Sequence, residues 1–406
     1  MQSTGMTNSE VGNNGAAILT ALGLSVGAAV SLGFSRFAYA LLLPPMRDSL
    51  HWSYVEAGGM NTANAIGYIF GAAAAAWFSK RLGIRAAFLL SLLISAFALL
   101  GSGFVDTYRE LATLRAIGGF STAILFIVGA SLAGCINPGT GHKRSALLVA
   151  LYITGVGTGI VISGLVVPPI LARTGPIGWQ SGWIWMGAIA LLSLIPAATA
   201  ARAIPPQAAR DSGTLPWRET LFLGPSILSY GLYGGGYVSY MTFIIVLVRQ
   251  TGGEHSTAVF WVVLGLASAL GTLLWGRILP RLHDARGLAV VSVVAMIGAL
   301  PVLLQPTLPA TFLSAIIFGG SFMAGPAAVA ILSRKIMAPH LATAAIAVLT
   351  ISFAVGQAIG PVLSGYISDV TGSIGSGLWI APSFLVLAAI IAPFQRTRQA
   401  ATLEGL

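Results

Sequence analysis

The sequence predicts an all-α integral membrane protein with twelve transmembrane helices in two six-helix bundles, related by a pseudo-two-fold axis along the membrane normal. Three observations predict it. Only 8% of the 406 residues are charged and 56% are hydrophobic, whereas an ordinary soluble domain carries about 25% charged residues to cover its surface. Apolar stretches of about 20 residues or more recur from Ala16 to Phe394, each long enough as a helix to cross a hydrocarbon core of about 30 Å. Finally, a set of residues in the first half of the chain recurs in the second at a fixed offset.

Taken in order, residues 1–15 are polar and contain no Lys or Arg. A cleaved signal peptide needs a basic n-region, so 16–43 reads as an uncleaved first span. Further spans fall near 53–78, 84–105, 110–135, 145–172, 181–201, 219–248, 257–280, 287–305, 309–333, 341–368 and 376–394, bounded by charges or Pro/Gly-rich breaks. The expected organisation is a cytoplasmic tail (1–15), an N-terminal bundle (16–201), a cytoplasmic linker (202–218), a C-terminal bundle (219–394) and a second tail (395–406). Fifty glycines and twenty prolines would break helices in water. In a bilayer small residues let backbones approach and neighbours satisfy freed backbone groups, so this content predicts close helix packing.

The net charge of +10 raises the possibility of a nucleic-acid surface. Its distribution argues for topology instead. With both termini inside, the inner segments hold Lys80, Arg81, Arg85, Lys143, Arg144, Arg202, Arg210, Arg218, Arg277, Arg281, Arg286, Arg334, Lys335, Arg396 and Arg398, and the outer ones only Arg47, Arg109, Arg173 and Arg249. This positive-inside bias predicts a multi-pass protein of a bacterial inner membrane with cytoplasmic termini and no nucleic-acid partner. The single cysteine, Cys135, cannot form an internal disulfide, and no CxxC or His/Cys cluster offers metal ligands. No metal or cofactor is expected.

The repeat is a parallel one. At an offset of 201 residues Arg85 meets Arg286, Gly118–Gly119 meet Gly319–Gly320, Ala123 meets Ala324, and Gly155, Gly159 and Gly164 meet Gly356, Gly360 and Gly365. At 198, Gly67 and Trp77 meet Gly265 and Trp275. One offset serving three consecutive spans indicates duplication, and an even number of spans per copy leaves both copies in the same orientation with a cleft between them.

Several of these segments carry a family resemblance over essentially the whole chain. Arg115-Ala-Ile-Gly-Gly119 resembles the R-x-x-x-G motif of the fourth span in the major facilitator superfamily. Gly356-Gln-Ala-Ile-Gly360-Pro361 with Gly365 resembles its eleventh-span glycine-proline pattern, and Lys80-Arg81-Leu82-Gly83-Ile84-Arg85 its basic loop between the second and third spans. Lys80 stands where that loop usually carries Asp. Gly155-Val-Gly-Thr-Gly159 lies where exchangers carry a glycine-rich motif, although Pro168 and Pro169 come too late to complete it. The resemblance implies a monomeric secondary transporter that works by alternating access, with protons as the default coupling ion.

Two basic side chains, Arg36 and Arg115, fall inside spans, where a charge costs at least about 2.5 kcal/mol unless a partner or water compensates it. Both lie roughly 9–12 Å below the outer ends of their helices, in the same half. No Asp or Glu lies near that depth, so an anionic substrate is one candidate partner, and a guanidinium fork fits a carboxylate. The alternative is that Arg36 snorkels to outer phosphates and Arg115 braces helices through carbonyls.

Asn61, Asn64 and Tyr68 share a helical face and either meet substrate or bond to neighbouring helices. Tyr230, Tyr233, Tyr237 and Tyr240 form a second stripe beside Gly234–Gly236, suited to a cleft wall or to packing. Gln357 is open to the same two readings. Proton-coupling candidates are Glu56 and Asp369, with His51 in an outer loop; each is also explained as a solvated end residue.

These features predict transport of a small organic anion of carboxylate type, with the lipid bilayer as the surrounding partner; proton symport is what the family resemblance implies. The alternative is efflux of amphipathic or drug-like compounds. The spans hold no Ser/His pair, paired carboxylates or metal cluster to support an enzyme.

Overall fold

The computed structural model describes residues 8–136, 142–205, 215–282, 286–338 and 340–396. Among these residues the chain is helical with no strand. Twelve long helices follow one another: α1 (Gly15–Leu50), α2 (Tyr54–Leu82), α3 (Ile84–Ser102), α4 (Tyr108–Gly134), α5 (His142–Thr174), α6 (Trp179–Arg202), α7 (Gly224–Gly253), α8 (His255–Arg281), α9 (Arg286–Leu304), α10 (Leu308–Ile336), α11 (Ala342–Thr371) and α12 (Ile374–Phe394). All but α2 are apolar enough by composition to cross a membrane. With 29 residues α2 is about 43 Å long, sufficient to span. Its hydropathy is lowered by Asn61, Asn64 and Tyr68, which are buried within the protein and so do not meet lipid.

Some expected boundaries move. The first helix does not stop at 43 but runs through Pro44 and Pro45 to Leu50, because buried membrane helices tolerate proline as neighbours satisfy the released carbonyls. The chain passes from the seventh helix to the eighth at Gly253, whose φ of 72° turns it without an intervening loop. The linker expected at 202–218 lies mostly outside the described residues, as do Arg210 and Arg398; a short helix, Trp217–Phe222, precedes α7.

The glycines of the repeat make matching contacts in the two bundles. A Cβ at Gly155 or Gly159 of α5 would lie 2.0 or 2.5 Å from the Ser25 or Ala29 carbonyl of α1, and one at Gly360 of α11 would lie 2.3 Å from the Gly235 carbonyl of α7. Likewise Gly119 of α4 abuts Asn64 of α2, and Gly271 of α8 abuts Gly320 of α10. The residues recur because each copy needs the same backbone approaches.

The bundles meet along three seams. In the α5–α8 seam, Gly157 faces Gly265 and Ala269, and the Trp261 indole donates to Ser163 at 3.1 Å. Between α2 and α11, the Thr62 hydroxyl donates to the Ala358 carbonyl at 2.6 Å, Gly58 faces the Pro361 carbonyl and Gly365 faces that of Tyr54. The last of these contacts sits beside Asp369, at the end where α11 meets the start of α2. The third seam, between α1 and α7, contains the candidate site.

Candidate functional site

Midway along α1, Ala29–Phe37 forms a π-helix whose nine residues are all buried; the Ala38 N–H donates to the carbonyl of Gly33, five residues back. Such segments are rare and concentrate at functional sites. Gly33 lies here against Gly159 of α5, where a Cβ would come within 2.6 Å of the Gly159 Cα. Arg36 emerges from this segment toward the bundle interface and is 7% exposed. Its guanidinium faces Tyr237 of α7 and lies 4.7 Å from the Tyr68 ring centroid. Its Nη2 is buried and has no hydrogen-bond partner. A small cavity opens beside it, lined by Phe37, Tyr39, Ala40, Asn61, Val238, Met241 and Thr242, with room for about one water molecule.

Arg115 of α4 reaches the same region with a different set of partners. Its Nη1 donates to the Ser35 carbonyl, immediately before Arg36, and its Nη2 to Asn61 Oδ1 at 3.1 Å. The guanidinium lies 4.7 Å from the Tyr39 ring centroid and 5.8 Å from that of Trp183; only Nε is left without a partner. Asn61 passes the connection across the interface, donating from Nδ2 to Thr242 Oγ1 of α7 at 2.7 Å. Asn64 instead donates to the Arg115 carbonyl at 3.1 Å, joining α2 to α4. The structure thus brings Arg36 and Arg115, which the sequence placed at one depth, together with Asn61, Asn64 and Tyr68; within the group the protein engages both terminal nitrogens of Arg115 but leaves the buried Nη2 of Arg36 free.

Beside Arg36 the tyrosine stripe joins a larger aromatic cluster. Tyr237 lies 5.5 Å from both Phe322 and Phe353 and 6.4 Å from Phe37 between ring centroids, and Phe37 meets Phe322 at 5.5 Å. Tyr230 and Tyr233 extend the stack along α7. The Tyr233 hydroxyl donates to the Phe322 carbonyl at 2.6 Å, whereas Tyr240 turns into its own bundle to meet Ser314 and Phe318. Gln357, one turn from Phe353 on α11, is 2% exposed, and its Oε1 has no partner.

The two carboxylate candidates are both helix caps. Glu56 closes a capping box with Ser53 at the start of α2. Asp369, at the far end of α11, accepts the Tyr54 and Val55 N–H groups at 2.9 Å each and so caps α2 from the opposite bundle. His51 is the left-handed C-cap of α1. Among the described residues, no group of three or more His, Cys, Asp or Glu could hold a metal.

Sequence reasoning missed the π-helix, which has no residue signature, and Thr242, a lone hydroxyl in an apolar run off the tyrosine face. Phe37, Phe322 and Phe353 also went unselected, since isolated phenylalanines in a span read as lipid-facing.

Comparison with known proteins agrees with this architecture. A family described as uncharacterised MFS-type transporter YbfB matches residues 28–393. The MFS-type transporter YcaD of Salmonella enteritidis is 26% identical over 305 residues, covering 74% of this chain and 75% of the relative, and that of Salmonella typhimurium is 26% identical over 307. Among solved structures, a mutant of the nucleoside transporter NupG superposes with a TM-score of 0.71 at 14% identity, covering 93% of this chain and 99% of its own. A bacterial homologue of the lysosomal transporter Spinster, inward-facing and occupied, reaches 0.67 at 17% identity, with 92% and 96% covered. These low identities speak for the fold alone. The family match covers nearly the whole chain, and the protein therefore belongs to the YbfB-type family of membrane transporters in the major facilitator superfamily.

Proposed function

We propose that the protein carries a small organic anion of carboxylate type by alternating access, with the negative group held on Arg36. The observation that carries this reading is the buried, unpartnered Nη2 of Arg36 beside the cavity between the bundles. An unpaired buried donor on a charged group is costly, and a carboxylate would satisfy it with a charge-assisted bond. Arg115 acts on this reading as a positioning residue, fixing Ser35 and Asn61 around the site. Asn64 and Tyr233 serve as helix braces, and Tyr68 and Tyr237 hold the Arg36 guanidinium.

The proposed setting is a bacterial inner membrane; the positive-inside distribution supports cytoplasmic termini and, with them, an outward-facing Asp369 end. Protons are the proposed coupling ion. Asp369 suits that role better than Glu56, because its carboxylate joins the two bundles and protonation would weaken the join. The aromatic cluster favours a second reading, efflux of amphipathic compounds, which would not need Arg36. Uptake into liposomes containing purified protein, compared with Arg36→Ala and Arg36→Lys, separates the two. Loss of carboxylate transport in Arg36→Ala with partial retention in Arg36→Lys is expected; unimpaired transport of every anion in Arg36→Ala would overturn the anion reading.

A further inference from the structure

The charge and shape of the surroundings narrow the substrate further, on the premise that Arg36 binds an anion. We propose that the substrate is an aromatic monocarboxylate, its carboxylate on Arg36 Nη2 and its ring inserted among Phe37, Tyr237, Phe322 and Phe353.

The charge follows from the cation at the cavity wall. Tyr68 covers the Arg36 guanidinium at 4.7 Å, and its buried Nη2 is left without a hydrogen-bond partner. Arg115 keeps its charge and an unpartnered Nε but does not line the cavity, whose wall carries Arg36 as its one charged residue among the described residues. One carboxylate can be neutralised at that wall; the second charge of a dicarboxylate would have no cation there to meet.

The ring follows from how the site closes. Its present space is about that of one water, so admitting any organic acid means parting side chains. Across the α1–α7 and α1–α10 boundaries those are aromatic pairs, Phe37 with Tyr237 at 6.4 Å and Phe37 with Phe322 at 5.5 Å, the latter edge-on at 86°. Separating them uncovers ring faces and edges that a flat aromatic ligand re-covers at the usual 4.5–7 Å spacing. A short aliphatic acid would leave them bare. Phe353, 5.5 Å from Tyr237 on α11, supplies the opposing wall.

The test is binding to the purified full-length protein, measured as thermal stabilisation over a concentration series. The probes are benzoate, benzamide, cyclohexanecarboxylate, propionate, terephthalate and succinate. Benzoate should bind at least about tenfold more tightly than cyclohexanecarboxylate or propionate, terephthalate and succinate should bind more weakly than benzoate, and benzamide should not bind. Arg36→Gln should abolish benzoate binding, and Phe322→Leu should weaken benzoate several-fold while leaving propionate unchanged. If Arg36→Gln does not fold, Arg36→Lys replaces it and should weaken benzoate without abolishing binding.

Should carboxylates bind through Arg36 with no preference for a ring, or should either dicarboxylate match benzoate, the aromatic monocarboxylate proposal fails while the anion reading stands. Should benzamide match benzoate, or the Arg36 variants leave binding unchanged, the anion reading fails and this proposal with it. Absence of binding by any probe likewise overturns both.

Discussion

Asp369→Asn should loosen the closure of the bundles at the end where α11 meets α2. The carboxylate accepts two backbone N–H groups of the first turn of α2 at 2.9 Å each, groups that have no partner within the helix. Asparagine keeps one acceptor oxygen and turns an NH2 toward the second N–H, so one bond is lost along with the charge facing the helix N-terminus. A hydrogen bond to a charged group contributes about 1.5–3 kcal/mol and the charge–dipole contact about 0.3–1 kcal/mol. Asp369 is exposed, and solvent screening takes the lower end of both figures. A net loss of about 1–2 kcal/mol corresponds to a roughly 5- to 30-fold shift in the ratio of closed to open states. Spin labels at Phe104 and Leu304, which are 74% and 63% exposed near the same end of opposite bundles, in a Cys135→Ser background, would read this as a growing long-distance population. An Asp369→Asn distribution indistinguishable from that of the parent would refute the latch.

Gly365→Ala should act in the same direction and more strongly, because its Cβ would stand 2.4 Å from the Tyr54 carbonyl, which is backbone and cannot rotate away; the same spin-label pair reports it. Gly356→Ala forces a Cβ to 1.8 Å from the Gly231 carbonyl within one bundle, so about 1–3 kcal/mol of overpacking should appear as a lower thermal midpoint. Thr242→Val leaves the Asn61 Nδ2 donor buried without its acceptor, which should cost about 1–3 kcal/mol in stability while the apolar packing is kept. Arg115→Leu should reduce folded yield, since the Ser35 carbonyl and Asn61 Oδ1 both lose their donor; an undiminished thermal midpoint would show that those bonds contribute nothing.

Much of this was legible in the sequence for identifiable reasons. The spans announce themselves because lipid demands long apolar runs. The 201-residue offset survives because Gly155, Gly159 and Gly360 occupy places where any side chain would strike a backbone carbonyl. Arg36 and Arg115 stood out because buried charge is expensive. Their different situations did not, since which guanidinium nitrogen is already occupied depends on Ser35 and Asn61, which are brought to Arg115 only by tertiary packing. The span of α2 shows the converse problem. The buried Asn61, Asn64 and Tyr68 that suit it to the interior are what lower its apolar signal. Pro44 and Pro45 misled in a similar way, because a breaker in water is tolerated where neighbouring helices surround it.

The π-helix of α1 has a mechanical consequence. Each residue of an α-helix advances the side chains by about 100° around the axis, so a segment wound with wider i→i+5 bonds holds its downstream residues at an azimuth that a plain α-helix would not give them. Rewinding Ala29–Phe37 into α geometry would turn Arg36 around the helix axis while the ends of α1 stayed seated against their neighbours. The azimuth of Arg36, and with it the side of α1 on which the charge meets the cavity, is therefore set by the winding of this segment and not by the seating of the helix ends.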